Sequence, residues 1–114
     1  MVVHVEPLAC TTPLVADAMS DGEARELALL LKAVADPNRV KILHRLASAA
    51  PDGVCVCDLT APLGIAQPSV SYHLGILRRA GLIERSQRGT FAFYALRQDA
   101  LGALSALLAP AAVA

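Results

Sequence analysis

Two cysteines separated by a single residue are the clearest chemical signal in this chain. Cys55 and Cys57 stand in the segment CVCDL. Thiolates are soft ligands that select thiophilic ions, and the start of a helix beside a cysteine favours its thiolate form. Because residues i and i+2 of an extended segment point the same way, we expect both sulfur atoms to converge on one ion. The plain alternative is a pair of small buried side chains without a ligand.

A second group of polar side chains follows on the segment QPSVSYHLGILRRAG. Proline in the first turn and glycine after the last predict a helix that opens at Gln67-Pro68 and ends before Gly81. Glutamine can bond adenine, serine can bond bases or phosphates, and histidine or tyrosine can donate to phosphates. A solvated helix face is the plain alternative. The candidate DNA contacts on this helix are Gln67, Ser69, Ser71, Tyr72, His73 and Arg78.

The elements around these residues are those of a helix-turn-helix. Val70, Leu74 and Leu77 recur at i, i+4 and i+7, which predicts one apolar stripe that packs inward. A shorter helix should precede it and start no earlier than about Asp58, because Pro62 is tolerated only near a helix start. Residues 54–57, with both cysteines, are then expected to be extended.

A β-hairpin is predicted after the helix-turn-helix. Residues 82–85 and 91–96 have strand character, and the polar segment 87–90 between them contains a glycine. Arg88 in this turn is a further candidate for a phosphate or minor-groove contact. A polar glycine turn between two short strands is typical of the wing of a winged helix.

Helices are also predicted on both sides of this core. Asp21 is the expected N-cap of the first helix, and Asp36 with Pro37 starts the second, whose inward residues should be Val40, Leu43, Leu46 and Ala47. The last helix, Gln98 to Ala109, is apolar almost all round. Such a helix needs a second surface to bury against, and a partner subunit is the simplest one.

Charge is divided unevenly along the 114 residues, although the formal net charge is zero. Residues 1–66 carry five basic and eight acidic side chains, a net charge of −3, whereas residues 67–114 carry five basic and two acidic, a net charge of +3. The basic half contains the candidate DNA contacts. No secretory signal and no span of about 20 apolar residues is evident, so we expect a cytoplasmic protein that does not enter the membrane.

The segments LKAVADPNRVKILHRLA, CVCDL and QPSVSYHLGILRRAGLIERSQRGTFAFYAL resemble the arsenic-responsive branch of the ArsR/SmtB family of winged-helix repressors. The resemblance covers about residues 21–108. It implies a dimer that binds an inverted repeat of operator double-stranded DNA and is released when a metal or metalloid binds. The expected inducer is trivalent arsenic or antimony, As(III) or Sb(III).

One position departs from the family's arsenic motif, which runs CVCDLC. Thr60 stands where that motif has its third cysteine. Arsenic(III) favours three thiolates, so the resemblance implies a third ligand from elsewhere in the chain. Cys10 is the other cysteine, and we expect the ligand set Cys10, Cys55 and Cys57. The zinc site that other family members have on the last helix is not expected, because that helix has Asp99 and no histidine.

Three alternatives stay open at this point, one of which is a DNA-architectural module that senses nothing and whose cysteines are inert. The same fold could sense lead, cadmium or zinc, although cadmium and zinc prefer four ligands. The cysteine pair could instead act in thiol redox sensing, although the i, i+2 spacing is expected to strain a disulfide and no thioredoxin-like pattern is present. No nucleophile–base spacing or glycine-rich phosphate loop appears, so we do not expect an enzyme.

The sequence therefore predicts a mainly α fold with a small β-hairpin, a dimeric winged helix-turn-helix. We expect an N-terminal arm at 1–20, a DNA-binding and dimerisation domain at 21–109 and a tail at 110–114.

Overall fold

The computed structural model describes residues 18–109, and this part of the chain folds into five helices and one three-stranded sheet. The winged helix-turn-helix predicted from the sequence is confirmed. Most of the predicted arm, with Cys10, and the predicted tail lie outside the described residues. The elements in chain order are α1 Asp21–Val34, α2 Pro37–Ser48, β1 Val54–Cys55, α3 Cys57–Leu63, α4 Gln67–Arg79, β2 Ile83–Arg88, β3 Phe91–Leu96 and α5 Gln98–Leu108.

Side chains cap the first two helices. Ser20 caps α1: its hydroxyl accepts from the Glu23 amide at 3.1 Å, and the Glu23 carboxylate accepts from the Ser20 amide at 3.0 Å. This reciprocal capping box replaces the cap expected at Asp21, which is the first helical residue instead. Asp36 caps α2 as predicted, accepting from the amides of Asn38 and Arg39.

The apolar stripe of α4 faces the core as predicted. Val70, Leu74 and Leu77 are fully buried. After the helix, Gly81 has φ +84°, the Leu82 amide donates to the Leu77 carbonyl at 3.0 Å, and the Gly81 amide donates to the Arg78 carbonyl at 3.0 Å. This pair of bonds is a Schellman motif, which a left-handed glycine permits. It turns the chain from the helix directly into the hairpin.

The inward face predicted for α2 is wrong in part. Ile42 and Leu46 are its buried residues, whereas Val40 is 49% exposed and Ala47 is exposed. The apolar positions on this helix outnumber those that one face can bury. Tertiary packing against α3 and the sheet, rather than the pattern alone, selects Ile42 and Leu46.

Helix α3 starts slightly earlier than the sequence predicted. It begins at Cys57, so Pro62 lies inside the helix rather than near its start. Proline cannot donate to the carbonyl four residues earlier, which in this helix belongs to Asp58. The helix has only seven residues and ends at Gly64, whose φ is +68°. Its lost hydrogen bond therefore affects a single short turn.

Strand β3 is the middle strand of the sheet, which has the order β1-β3-β2, and both pairings are antiparallel. Strands β2 and β3 pair from Ile83 with Leu96 to Arg88 with Phe91. The connecting turn is only Gly89-Thr90, shorter than the turn predicted at 87–90. Because Gly89 has φ +65°, this tight turn is accessible and the strands extend further.

An apolar surface remains exposed on the two terminal helices, α1 and α5. Leu104 is buried between them, with only 9% of its surface exposed, but Leu108 is 73% exposed and Leu29 is 62% exposed. Large apolar side chains in water favour association with another apolar surface. Within residues 18–109, no helix is both long and apolar enough to cross a membrane.

Candidate functional site

The thiol pair lies where β1 passes into α3. Cys55 is the last residue of the strand and Cys57 the first of the helix. The intervening Val56 has helical torsion angles, φ −57° and ψ −30°, so the prediction that 54–57 is extended is wrong beyond Cys55. The sulfur atoms do converge, but because the chain turns at Val56 and not because an extended strand alternates.

A disulfide bond joins Cys55 and Cys57 in the structure. The bond forms across a single intervening residue, and the strain expected from the i, i+2 spacing stays a prediction. The turn at Val56 brings the two Cα atoms to 5.2 Å, whereas two residues of extended chain span about 6.6 Å. A Cα separation near 5.5 Å is usual for a disulfide. The same geometry puts both sulfur atoms within reach of one ion when the bond is reduced.

The surroundings of the thiol pair combine protection with access. Cys55 is buried, with 4% of its surface exposed, and its sulfur accepts from the Cys57 amide at 3.4 Å. Cys57 is exposed and opens the pair to solvent. Hydrogen bonding to a sulfur atom favours its thiolate form, as does the start of a helix. The pair is therefore reachable through Cys57.

The described residues supply only part of a metal site. Between residues 18 and 109, no group of three or more histidine, cysteine, aspartate or glutamate side chains is placed to hold a metal ion. Thr60, at the position of the missing third cysteine, directs its hydroxyl to the Val56 carbonyl at 3.4 Å. Cys10 lies outside the described residues. Two sulfur donors suit a thiophilic ion, and a third donor has to come from beyond this range.

Most of the predicted DNA contacts on helix α4 are exposed. These are Gln67, Ser69, Ser71 and Tyr72. Ala66 makes no side-chain cap for this helix. The amides of Ser69 and Val70 nevertheless both donate to the Ala66 carbonyl, and Pro68 has no amide hydrogen. The start of α4 is thus stable without a capping side chain, which leaves Gln67 free to project outward.

His73 differs from the other predicted contacts because it is half-buried and bonded within the protein. Arg39 on α2 donates from Nη1 to His73 Nδ1 at 3.0 Å and from Nε to the Ala33 carbonyl at 2.6 Å. Asp36 Oδ2 lies 3.9 Å from the same ring nitrogen. A guanidinium can only donate, so Nδ1 is the acceptor in the shorter contact. Arg39 therefore links the end of α1 to α4.

Asp36 is electrostatically coupled to this link. Burial raises the pKa of the Asp36 carboxyl, but the Arg39 amide, the Arg39 charge and the Asn38 amide together outweigh it and hold the pKa below the usual range. Sequence reasoning identified Asp36 as a cap and missed Arg39 altogether. The cap spacing is local and readable, whereas the contact from Arg39 to His73 spans 34 residues.

The arginines predicted to contact DNA are in two different states. Arg78 is exposed at the end of α4. Among residues 18–109 the ion pair between an arginine and a carboxylate is Arg97 with Asp99, so neither Arg78 nor its neighbour Arg79 pairs with Glu84. Arg88 is instead engaged with the protein: its Nη2 donates to the Asp52 carbonyl, and its guanidinium carbon lies 4.2 Å from the centroid of the Phe93 ring.

Comparison with known proteins gives consistent matches. The profile of the family described as bacterial regulatory protein, arsR family, matches residues 36–85. An arsenical resistance operon repressor of Bacillus subtilis is 38% identical over 73 residues, covering 64% of this chain and 68% of that protein. A transcriptional repressor SmtB homolog of Synechocystis is 33% identical over 97 residues, covering 85% of this chain and 69% of that protein.

A solved structure is similar over nearly the same range. It is the solution structure of a homodimeric winged helix-turn-helix DNA-binding domain from Mycobacterium bovis. Its TM-score is 0.64 at 28% identity, and the match covers 81% of this chain and 88% of that one.

We predict that the Asp36 charge stabilises the link between α1, α2 and α4. Asp36→Asn keeps a capping oxygen but removes the charge, so its melting temperature should fall below that of the parent at neutral pH. A carboxyl with a lowered folded-state pKa stabilises above its unfolded pKa, and this contribution is lost as pH falls through the folded pKa. The difference in melting temperature between the parent and Asp36→Asn should therefore disappear in acid, as measured by circular dichroism.

The matched control is Asp21→Asn, at the exposed first residue of α1. It should give a smaller difference at neutral pH. A difference for Asp36→Asn that persists unchanged in acid would show that the charge is not its cause.

Proposed function

Because the chain belongs to the ArsR family of bacterial transcriptional repressors, we propose that it binds operator DNA as a homodimer and is released when trivalent arsenic or antimony binds its cysteine thiolates. The observation that carries the proposal is the adjacency of the Cys55 and Cys57 sulfur atoms at the start of α3. Helix α3 packs directly before the DNA-facing α4. A change in the bonding of this pair acts on the helix that enters the DNA-binding motif.

The donor set favours a trivalent, thiophilic centre. Each reduced thiol would give its proton to a hydroxide of arsenous acid, which leaves as water, and the sulfur would take the vacated position on arsenic. The described residues offer two such thiols. We propose Cys10 as the third, because it is the remaining one of the three cysteines in the chain. Cadmium and zinc prefer four ligands, so a set of three thiols favours arsenic.

A second candidate is favoured by the disulfide itself. In a thiol redox regulator, Cys55 and Cys57 would lose two protons and two electrons to a peroxide, which would become two molecules of water. The structure holds the pair in that oxidised form. Titrating the reduced dimer with arsenite, cadmium and hydrogen peroxide while following operator binding separates the two candidates. Release by arsenite supports the first, and release by peroxide alone supports the second.

Operator binding is proposed to use α4 and the wing from each subunit. Two recognition helices related by a two-fold axis read half-sites about 34 Å apart on an inverted repeat. The exposed face of α4, from Gln67 to Arg78, is free of acidic side chains. This absence of negative charge favours approach to the phosphate backbone.

We predict that Gln67→Ala reduces discrimination between operator and random DNA by about 1–3 kcal/mol, the value of one bidentate base contact. Fluorescence anisotropy with both DNAs at one fixed salt concentration measures this difference. Gln98→Ala is the matched control, because Gln98 is also an exposed glutamine at the first position of a helix. Equal discrimination by both variants would exclude Gln67 as a base contact.

We predict that Cys55→Ser and Cys57→Ser still bind operator but are not released at arsenite concentrations that release the parent, because at most two thiols remain. Cys10→Ser should weaken the response to arsenite. Restoring the third cysteine in the Thr60→Cys, Cys10→Ser double variant should recover release, since residues three apart on a helix share a face. X-ray absorption spectroscopy should count three sulfur neighbours in the parent.

The outcomes of this series separate the role of the Cys55–Cys57 pair from the role of Cys10. Normal release of both Cys55→Ser and Cys57→Ser would contradict a thiol sensor at this position. Unchanged release of Cys10→Ser with three sulfur neighbours would contradict the role of Cys10 alone.

We predict that Leu108→Lys disrupts dimer formation while preserving the fold. Leu108 is 73% exposed in the single chain, so a lysine there meets water in a monomer but would be buried unpaired in an interface. Sedimentation should show a folded monomer with weakened operator binding. Leu104→Lys is a poorer test, because Leu104 is already buried between α1 and α5 and its change would unfold the chain. A Leu108→Lys dimer equal to the parent would place the interface elsewhere.

A further inference from the structure

Arg88 is held against the body of the protein by two contacts at once. Its guanidinium lies over the Phe93 ring of β3, with 4.2 Å between the guanidinium carbon and the ring centroid. Its Nη2 also donates to the Asp52 carbonyl, in the turn that leads into β1. One face of the guanidinium and its Nη2 donor are thus engaged within the protein, although Arg88 is exposed.

Phe93 is also the cross-strand partner of Cys55. The two residues are paired in the antiparallel register of β1 and β3, and the Val56 amide donates to the Ala92 carbonyl at 3.2 Å. Residues directly opposite in such a pair share one face of the sheet. Arg88 pairs with Phe91, two residues from Phe93, and so belongs to that same face. Cys55, Phe93 and Arg88 thus lie on one face of the sheet, with Arg88 diagonal to Phe93, whose direct partner on β2 is Ser86.

The Asp52 carbonyl, which accepts from Arg88, is positioned by the contact between β1 and β3. Gly53 has φ +92°, and a Cβ built at Gly53 would lie only 2.9 Å from the Tyr94 carbonyl oxygen. The chain therefore passes directly against β3 at this point, as only glycine permits. Asp52 is adjacent to Gly53, so a shift of β1 along β3 moves the Asp52 carbonyl with it.

We propose that Arg88 transmits the state of the thiol pair to DNA, an inference that rests on the proposed role of that pair as the sensor. In the linked state, the Cys55 and Cys57 sulfur atoms are joined to each other or to one arsenic atom. The link fixes Val56 in its turn and keeps β1 on β3, so Arg88 is held by Asp52 and Phe93 and is withdrawn from DNA. In the reduced state, β1 is held without this link, and Arg88 is released to a phosphate.

The structure corresponds to the linked state of this proposal. The thiol pair is linked, and Arg88 is engaged with Phe93 and Asp52. The contacts that hold Arg88 are a cation–π contact and one hydrogen bond to a neutral carbonyl. Both are weak enough for a phosphate to replace them, which a reversible regulator requires.

Nuclear magnetic resonance of the full chain tests the proposal without DNA. The Arg88 Nε–Hε signal, assigned with Arg88→Lys, should be shifted by the Phe93 ring after treatment with hydrogen peroxide or arsenite. It should move to the position of a solvated arginine after reduction. Arg85 is the matched control on the same strand, because its Nη2 bonds Gln87 at 3.0 Å and its register puts it on the opposite face of the sheet from Arg88. An Arg88 signal that is the same in all three states overturns the proposal.

Operator binding supplies the second arm of the experiment. The log–log salt slope of the parent should be smaller by about 0.9 per subunit in the linked state, as expected for one lost phosphate contact. Phe93→Leu should bind operator like the parent when reduced, but its release by arsenite should be about two- to fivefold weaker, the worth of a cation–π contact as a ratio. Phe91→Leu removes a ring from the same face that makes no cation–π contact with Arg88, and it should be released like the parent.

Failure of the inference and failure of the proposed function give different results. If arsenite and peroxide do not release the parent, the proposed function fails, and the Arg88 signal still decides whether the thiols control this arginine. If arsenite releases the parent and Phe93→Leu equally, with an unchanged salt slope, Arg88 is not the transmitting residue although the thiols remain the sensor.

Discussion

The pairing of β3 with two strands at once is the constraint on which the rest of this structure depends. On one side it carries the strand that ends at Cys55, and on the other it carries the strand that ends at Arg88. A central strand cannot shift without disturbing both of its ladders. The candidate sensor and the wing are therefore parts of one sheet, although the helix-turn-helix separates them along the chain. This shared strand makes a direct mechanical connection that does not pass through α3 and α4.

The sequence predicts the local parts of this fold well. Gln67-Pro68 and Gly81 mark both ends of α4, and its stripe of Val70, Leu74 and Leu77 is buried as expected. These features depend on short-range stereochemistry and on helical periodicity, both of which are written in neighbouring residues. The choice of Ile42 over Val40 as a core residue is not predictable in this way. It depends on which face of α2 meets the sheet, and that is decided only when the whole chain is packed.

In the candidate site, too, local features were predictable from the sequence and long-range contacts were not. The sequence identifies Cys55 and Cys57 correctly as neighbours, but it gives the wrong reason, because one helical residue between them replaces the expected extended geometry. It assigns His73 and Arg88 to DNA by side-chain type alone. In the structure each has a partner more than 30 residues away, Arg39 for one and Asp52 for the other. Contacts at such separations leave no pattern in a single sequence.

The short length of β1 has a consequence for how the buried sulfur can react. Only two residue pairs join β1 to β3, so its opening breaks few hydrogen bonds, although it exposes the buried side chains of Val54 and Cys55. Such segments open at free energies far below that of global unfolding. Cys55 is buried in the closed form, yet brief fraying of this edge would expose it to reagents while α4 stays folded. Thiol chemistry at Cys55 is therefore expected to follow the local opening equilibrium of one strand, with amide exchange near Val56 on the same time course.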